Sequence, residues 1–169
     1  MAIDLNALWQ VSYGMYLIGA AADGRLNAQV ANALIQASLT PVRLAVSINK
    51  QNLTHELIES SGWFSVGVLE EETPLKFIGN FGFKSGREID KLSGVEYRLA
   101  ENGSPLVTEH CLSVYEARVV DRADAVTHTV FVGEVSLAEI IREGRPLTYD
   151  YYQTVKKGKA SQNAPTYKG

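Results

Sequence analysis

A single cysteine, Cys111, leaves no partner for an internal disulfide and cannot build a cysteine-rich zinc or iron–sulfur site. Histidine is almost as scarce. His55, His110 and His128 are scattered, no HExxH occurs, and no metal site is expected. Long hydrophobic runs are missing as well. The longest, residues 13–22, falls well short of the ~20 residues a membrane-spanning helix needs. Asp4 stands where a secretory leader would carry positive charge, so a cytoplasmic protein with no membrane association is expected. No GxGxxG follows an opening strand, no Walker A loop occurs, and no GxSxG elbow is present. Cys111 has no nucleophile signature around it, and no two carboxylates form a recognisable catalytic pair. An enzyme of this sequence would therefore rely on a cofactor for its difficult chemistry.

What is present describes a globular chain. Its 169 residues fit one domain, and 46% hydrophobic with 21% charged residues is enough for a proper core. The net charge of −3 is unevenly spread. Residues 151–169 hold Lys156, Lys157, Lys159 and Lys168 and no acid, which leaves −7 on residues 1–150. The expected organisation is a domain over 1–150 followed by a basic tail over 151–169. An acidic body argues against nucleic-acid binding.

The pattern is strand-rich. Residues 4–11 suggest a short helix capped by Asp4. Residues 13–22 read as a strand ending in an Asp23-Gly24 hairpin turn, and 29–37 as a second strand. Over 42–49 the alternation is clean, with Leu44, Val46 and Ile48 on one face. A helix over 53–60 follows Asn52, a good N-cap residue. Strands are expected over 63–69, 110–120 and 127–135, and short helices over 75–80 and 137–143. Long helices do not alternate with these strands, so the fold class expected is mainly β, a β-barrel with short helices.

Four stretches could carry chemistry. Ser47 and Asn49 project to one side of a strand that runs through Lys50 into the helix start at Asn52 and Thr54. Free amides and the positive end of the dipole make that start a phosphate site. Equally, Asn52 simply caps the helix and Lys50 is solvated. In the second stretch, Gly86 allows close backbone approach, and Arg87 and Lys91 share a helical face that could meet one anion. A Ser85/Glu88 capping box accounts for the same residues without a ligand. Asn32 and Gln36, four apart in an apolar strand, either bond neighbouring backbone or read the polar edge of a planar ligand. His128 opens a strand, where a lone histidine is more often structural than catalytic.

In order, the pieces DGRLNAQVANALIQAS (23–38), LAVSINKQNLTHELIESSGWFSVGVL (44–69), FGFKSGREIDKL (81–92) and HTVFVGEV (128–135) resemble the flavin reductase-like family, the FMN-binding split barrel. The resemblance covers about residues 10–150. The tail segment 155–167 is similar to members related to ferric reductases, flavoredoxins and the flavoprotein part of high-molecular-weight rubredoxins. The resemblance implies a homodimer that binds FMN and takes electrons from NAD(P)H. The acceptor would be flavin, ferric iron or a small redox protein such as rubredoxin, and any rubredoxin-like partner would be a separate protein. A non-enzymatic FMN carrier reduced by a partner protein is the alternative. Asn32 and the backbone of Ala33, Leu34, Ile35 and Gln36 would edge the isoalloxazine. Ser47, Asn49 and Lys50 would follow the ribityl chain. Asn52 and Thr54 would meet the phosphate, and Ser85, Gly86, Arg87 and Lys91 would close over it. His128 matches the family's histidine near the nicotinamide, although this chain reads Val126-Thr127-His128 where many members read Gly-Asp-His. The tail lysines, if not merely solvated, would attract an acidic redox partner.

Overall fold

The computed structural model describes residues 2–167. A 3-10 helix, Leu5–Gln10, begins at Asp4, whose carboxylate accepts from the Asn6 amide at 2.9 Å. Strands β1 (Tyr16–Ala22), β2 (Arg25–Ala31), β3 (Leu34–Leu39) and β4 (Val42–Asn49) precede helix α1 (Leu53–Ser61) and strand β5 (Trp63–Leu69). Helix α2 (Leu75–Gly82) and the short β6 (Tyr97–Leu99) and β7 (Pro105–Val107) lead to the long β8 (Cys111–Ala125) and β9 (His128–Ile140). Helix α3 (Tyr149–Thr154) follows. The mainly β expectation holds.

The large sheet runs β2-β1-β5-β8-β9-β4-β3, all antiparallel. Its two edge strands, β2 and β3, are separated in the chain only by Asn32 and Ala33. Laid flat, seven strands at ~4.8 Å spacing would put those edges roughly 29 Å apart. Three Cα steps span at most about 11 Å. The sheet must therefore curl until its edges nearly meet, which is a barrel with a split. Ser47 N–H donates to Ala33 O at 3.0 Å and pins the link against β4.

That link corrects one expectation. Residues 29–37 are not one strand; they belong to two strands divided at the barrel's closure, so Asn32 and Gln36 do not share a face. A second correction concerns residues 137–143. They continue β9 as far as Ile140, because β8 supplies a ladder in which Glu139 faces Val114 and Ile140 faces Ser113. Val135 and Leu137 stay half-buried while Ser136 and Ala138 are exposed, so period two persists into the residues expected to start a helix. The β8–β9 turn falls at Val126-Thr127, later than the sequence suggested.

Leu44, Val46 and Ile48 of β4 are buried as the alternation predicted, with Ile18, Phe64 and Phe131, under α1. A second cluster joins Met15, Ile78 and Phe81 to Tyr149 and Tyr152 of α3. Gly133 of β9 shows how tightly the first cluster is packed. A Cβ there would lie 2.5 Å from the Phe64 ring and 2.8 Å from the Ala117 methyl. Gly133→Val is expected to cost about 1–3 kcal/mol, read by chemical denaturation; a loss below about 0.5 kcal/mol would show that the barrel yields there. Among the described residues, no helix is long and apolar enough to cross a membrane.

Candidate functional site

A cavity of about 570 Å³ opens beside β2, between the start of α1, the end of α2 and the chain beyond α3. That is the size range of small-molecule sites. Met15, Ile78 and Phe81 form an apolar side. Asn27, Gln29 and Asn32 supply amides along β2 and its end. Lys84, Lys91 and Lys159 line it, and among the described residues no carboxylate does. The charge of this site is therefore suited to an anion, although the protein as a whole is acidic.

Seven of the residues singled out in the sequence meet here: Asn32, Ser47, Asn49, Asn52, Ser85, Gly86 and Lys91. Asn32 is buried; its Nδ2 donates to Thr166 Oγ1 at 2.9 Å, and its Oδ1 has no partner. An unpaired buried acceptor costs about 1–3 kcal/mol unless a donor arrives. Ser47 and Asn49 reach the cavity from β4, side by side as their spacing required. Gly86 lies so close to Asn27 that a Cβ would stand 2.1 Å from its Oδ1.

Lys91 is the cation built into the site. Its residue is 4% exposed, and its Nζ donates to Phe81 O at 3.2 Å. Asn80 Nδ2 donates to Lys91 O at 2.9 Å, so the chain is tied to α2 from both sides. Burial pushes the Lys91 ammonium down to about 8. Arg87 does not join it. The segment forms turns rather than a continuous helix, and Arg87 turns outward to Glu56, at 2.9 Å. Arg25 pairs with the same carboxylate. Hydrogen bonds from Arg25 and Arg87 hold Glu56 below the usual carboxylate range. The common anion-facing surface expected of Arg87 and Lys91 is therefore absent. Ser85 Oγ accepts from the Arg87 amide at 3.2 Å, and Glu88 N–H donates to Ser85 O.

Asn52 occupies the N-cap position of α1, but its side chain makes no capping bond. Instead its Nδ2 donates to Gln29 Oε1 at 3.1 Å, and its Oδ1 accepts from Asn163 Nδ2 at 2.8 Å. The side-chain cap predicted for this helix is replaced by two long-range partners. Lys50 points away from the cavity to Asp124, at 2.9 Å, and its hydrogen bond lowers that carboxyl's pKa. Thr54 is fully buried and accepts from Asn27 Nδ2 at 2.8 Å, so it fixes a lining residue without lining the cavity itself.

Ala33, Leu34, Ile35 and Gln36 do not line the cavity. The Ile35 side chain is exposed, and Gln36 Nε2 donates to Ser38 O at 3.3 Å. His128 is buried at the start of β9, opposite Asn49 in the ladder. Its Nε2 lies 3.3 Å from Asn163 O and its Nδ1 lies 2.8 Å from Thr127 Oγ1, so both ring nitrogens have a hydrogen-bond partner. Cys111 is fully buried, and burial pushes its thiol up to about 12, so at neutral pH it is no nucleophile.

Sequence reasoning missed Asn27 and Gln29. Their polar alternation in an apolar strand was available as a signal. It also missed Tyr149, Tyr152 and residues 159–165, which line the cavity from a tail without periodicity. No periodicity marks those, and only the resemblance of segment 155–167 to related members pointed to that stretch.

Known proteins resemble this chain in sequence and in fold. The chain is 47% identical over 165 residues to the high molecular weight rubredoxin of Moorella thermoacetica, covering 98% of this chain and 72% of that protein. It is 45% identical to a ferric-chelate reductase (NAD(P)H) of Archaeoglobus fulgidus, covering 98% of both. The crystal structure of flavoredoxin from Methanosarcina acetivorans superposes with a TM-score of 0.73 at 27% identity, over 86% of this chain and 80% of that one. Residues 8–156 match the flavin reductase like domain, and the chain belongs to that family.

Proposed function

We propose that this protein is an NAD(P)H-dependent oxidoreductase that holds FMN in the cavity beside β2. The observation that carries the reading is Lys91: a buried ammonium with a single carbonyl partner, in a cavity that no carboxylate among the described residues lines. A phosphate monoester is the kind of ligand such a group lacks. The rest of the lining fits the same cofactor. Asn32 offers an unpaired Oδ1 to a donor on a planar ring, and Met15, Ile78 and Phe81 offer an apolar shelf. Ser47 and Asn49 offer polar contacts to a hydroxylated chain, and Ser85, Gly86 and Lys91 close the anionic end.

FMN, when bound, accepts a hydride and passes electrons on singly or in pairs. The chain then has to orient the ring, shield it from water and balance its charge. Asn32 orients; Phe81 and Tyr152 exclude water; Lys91 supplies positive charge. The ferric-chelate reductase relative supports NAD(P)H as donor and ferric iron as one acceptor. The rubredoxin and flavoredoxin relatives support a small redox protein as another. A homodimer is supported by exposed apolar side chains, with Ile35 and Leu39 on the edge strand β3 and Val126 at the β8–β9 turn.

One observation favours a second reading, an FMN carrier reduced by a partner protein. His128 has both ring nitrogens engaged, by Thr127 and Asn163, and no acid precedes it. The two readings separate in one experiment. Purified protein is expected to release about one FMN per chain, and anaerobic NADH or NADPH is expected to bleach the flavin bands. Flavin that stays oxidised under NAD(P)H but is reduced by a redox protein would select the carrier. A colourless protein that takes up no added FMN would overturn both.

A further inference from the structure

The family match ends at residue 156, yet the two relatives align over 165 of the 169 residues and so share the segment beyond it. That segment is built into the site. Gly158 N–H donates to Tyr152 O at 2.8 Å, and Tyr152 OH donates to Lys159 O at 3.0 Å. Gly158 packs flat on the buried Tyr152 ring, where a Cβ would come within 2.1 Å of it. The direction in which the chain leaves α3 is thereby set. Two residues then latch it across the cavity. Asn163 holds Asn52 with its Nδ2 and His128 with its carbonyl oxygen. Thr166 accepts from Asn32 and donates to Tyr149 OH at 3.1 Å.

Residues 160–166, Ala-Ser-Gln-Asn-Ala-Pro-Thr, contain no large apolar side chain. The segment is held by hydrogen bonds rather than by core burial, so it can open without unfolding the barrel. With it closed, the cavity still measures about 570 Å³, so the segment walls the cavity and does not fill it.

We propose that residues 159–167 form a strap that closes over the bound flavin nucleotide and sets how long it is retained, with Asn163 and Thr166 as its latches. Asn52, whose side chain is divided between Gln29 and Asn163, is the post of this latch and not a phosphate ligand. The proposal rests on the FMN reading above.

The test uses full-length protein loaded with FMN and follows the return of free-flavin fluorescence after dilution. Loss of one latch bond in Asn163→Ala is expected to speed release by ~2–12-fold, and truncation after residue 158 by ~10-fold or more. Trypsin is expected to cut after Lys159 more slowly in the loaded protein than in the apoprotein. If loaded wild type and both variants release FMN at one rate, the strap is overturned while the FMN reading stands. Slower release from the variants would also overturn it, by showing that the segment competes with the ligand. Wild-type protein that takes up no FMN would overturn the functional reading and the strap together.

Discussion

Lys91→Met is expected to weaken FMN binding by ~10–100-fold and to leave the apoprotein at least as stable as wild type. A charge-assisted hydrogen bond in a shielded site contributes about 1.5–3 kcal/mol, which converts to that range. The empty protein gains little from the same ammonium. It is buried against one carbonyl oxygen, and its desolvation is unfavourable until an anion arrives. Methionine nearly matches the lysine stem in length and removes the buried charge. Equilibrium titration of FMN fluorescence and a melting curve of the apoprotein read the two quantities separately. A variant that loses stability and affinity together would mean that Lys91 is structural.

The same residue sets a pH dependence. Burial holds the folded Lys91 at about 8, below its ordinary 10.5. Between those values the unfolded chain binds more protons than the folded one, so apoprotein stability should rise with pH through that window. An anion beside the ammonium favours its protonated form, so FMN binding takes up a proton above pH 8. Affinity should then fall as pH rises from 8, by up to about tenfold per unit. Lys91→Met should flatten this profile. A wild-type affinity constant from pH 7 to 9.5 would refute the assignment of Lys91 to the phosphate.

Phe131→Ala is expected to produce the largest loss of stability. Phe131 is fully buried on β9, paired with Val46 of β4 in the ladder, and its ring lies 5.2 Å from the His55 ring. Truncating a buried phenylalanine costs about 3–5 kcal/mol, which for a chain of this size lowers Tm by roughly 6–20 °C. His55 belongs to the first turn of α1, the helix whose start borders the cavity. FMN affinity should therefore fall as well, as a consequence of a loosened helix. Phe131→Leu should recover most of both losses. A decrease below about 1 kcal/mol in denaturant unfolding would show that the barrel interior collapses around the gap.

Local chemistry was legible wherever the signal is local. The alternation of Leu44, Val46 and Ile48 marked the inner face of β4, because side chains two apart in a strand share a face. Asp23-Gly24 marked the β1–β2 turn, and both residues adopt positive φ there. Asn32, Ser47, Asn49, Ser85, Gly86 and Lys91 were singled out by residue type and spacing, and all six line the cavity.

Other positions depended on partners far away in the chain. Arg87 faces outward because Glu56 waits 31 residues upstream, and Lys50 does so because Asp124 stands across the β8–β9 hairpin. Asn52 serves Asn163, 111 residues away, instead of its own helix. Spacing describes which face of an element a side chain shares; it says nothing of what approaches that face.

The sequence by itself determined a mainly β chain, the inner face of β4, the start of α1 and the residue types of an anion site. Only the tertiary structure decided that the chain breaks at Asn32-Ala33, because two sheet edges joined by two residues must close into a barrel. Only it decided that Lys91, and not Lys50 or Arg87, is the buried cation, and that residues 159–167 form a wall of the cavity. The reason is the same in each case. Propensity and periodicity act over a few residues, whereas burial and charge pairing are settled by whichever distant segment the folded barrel brings alongside.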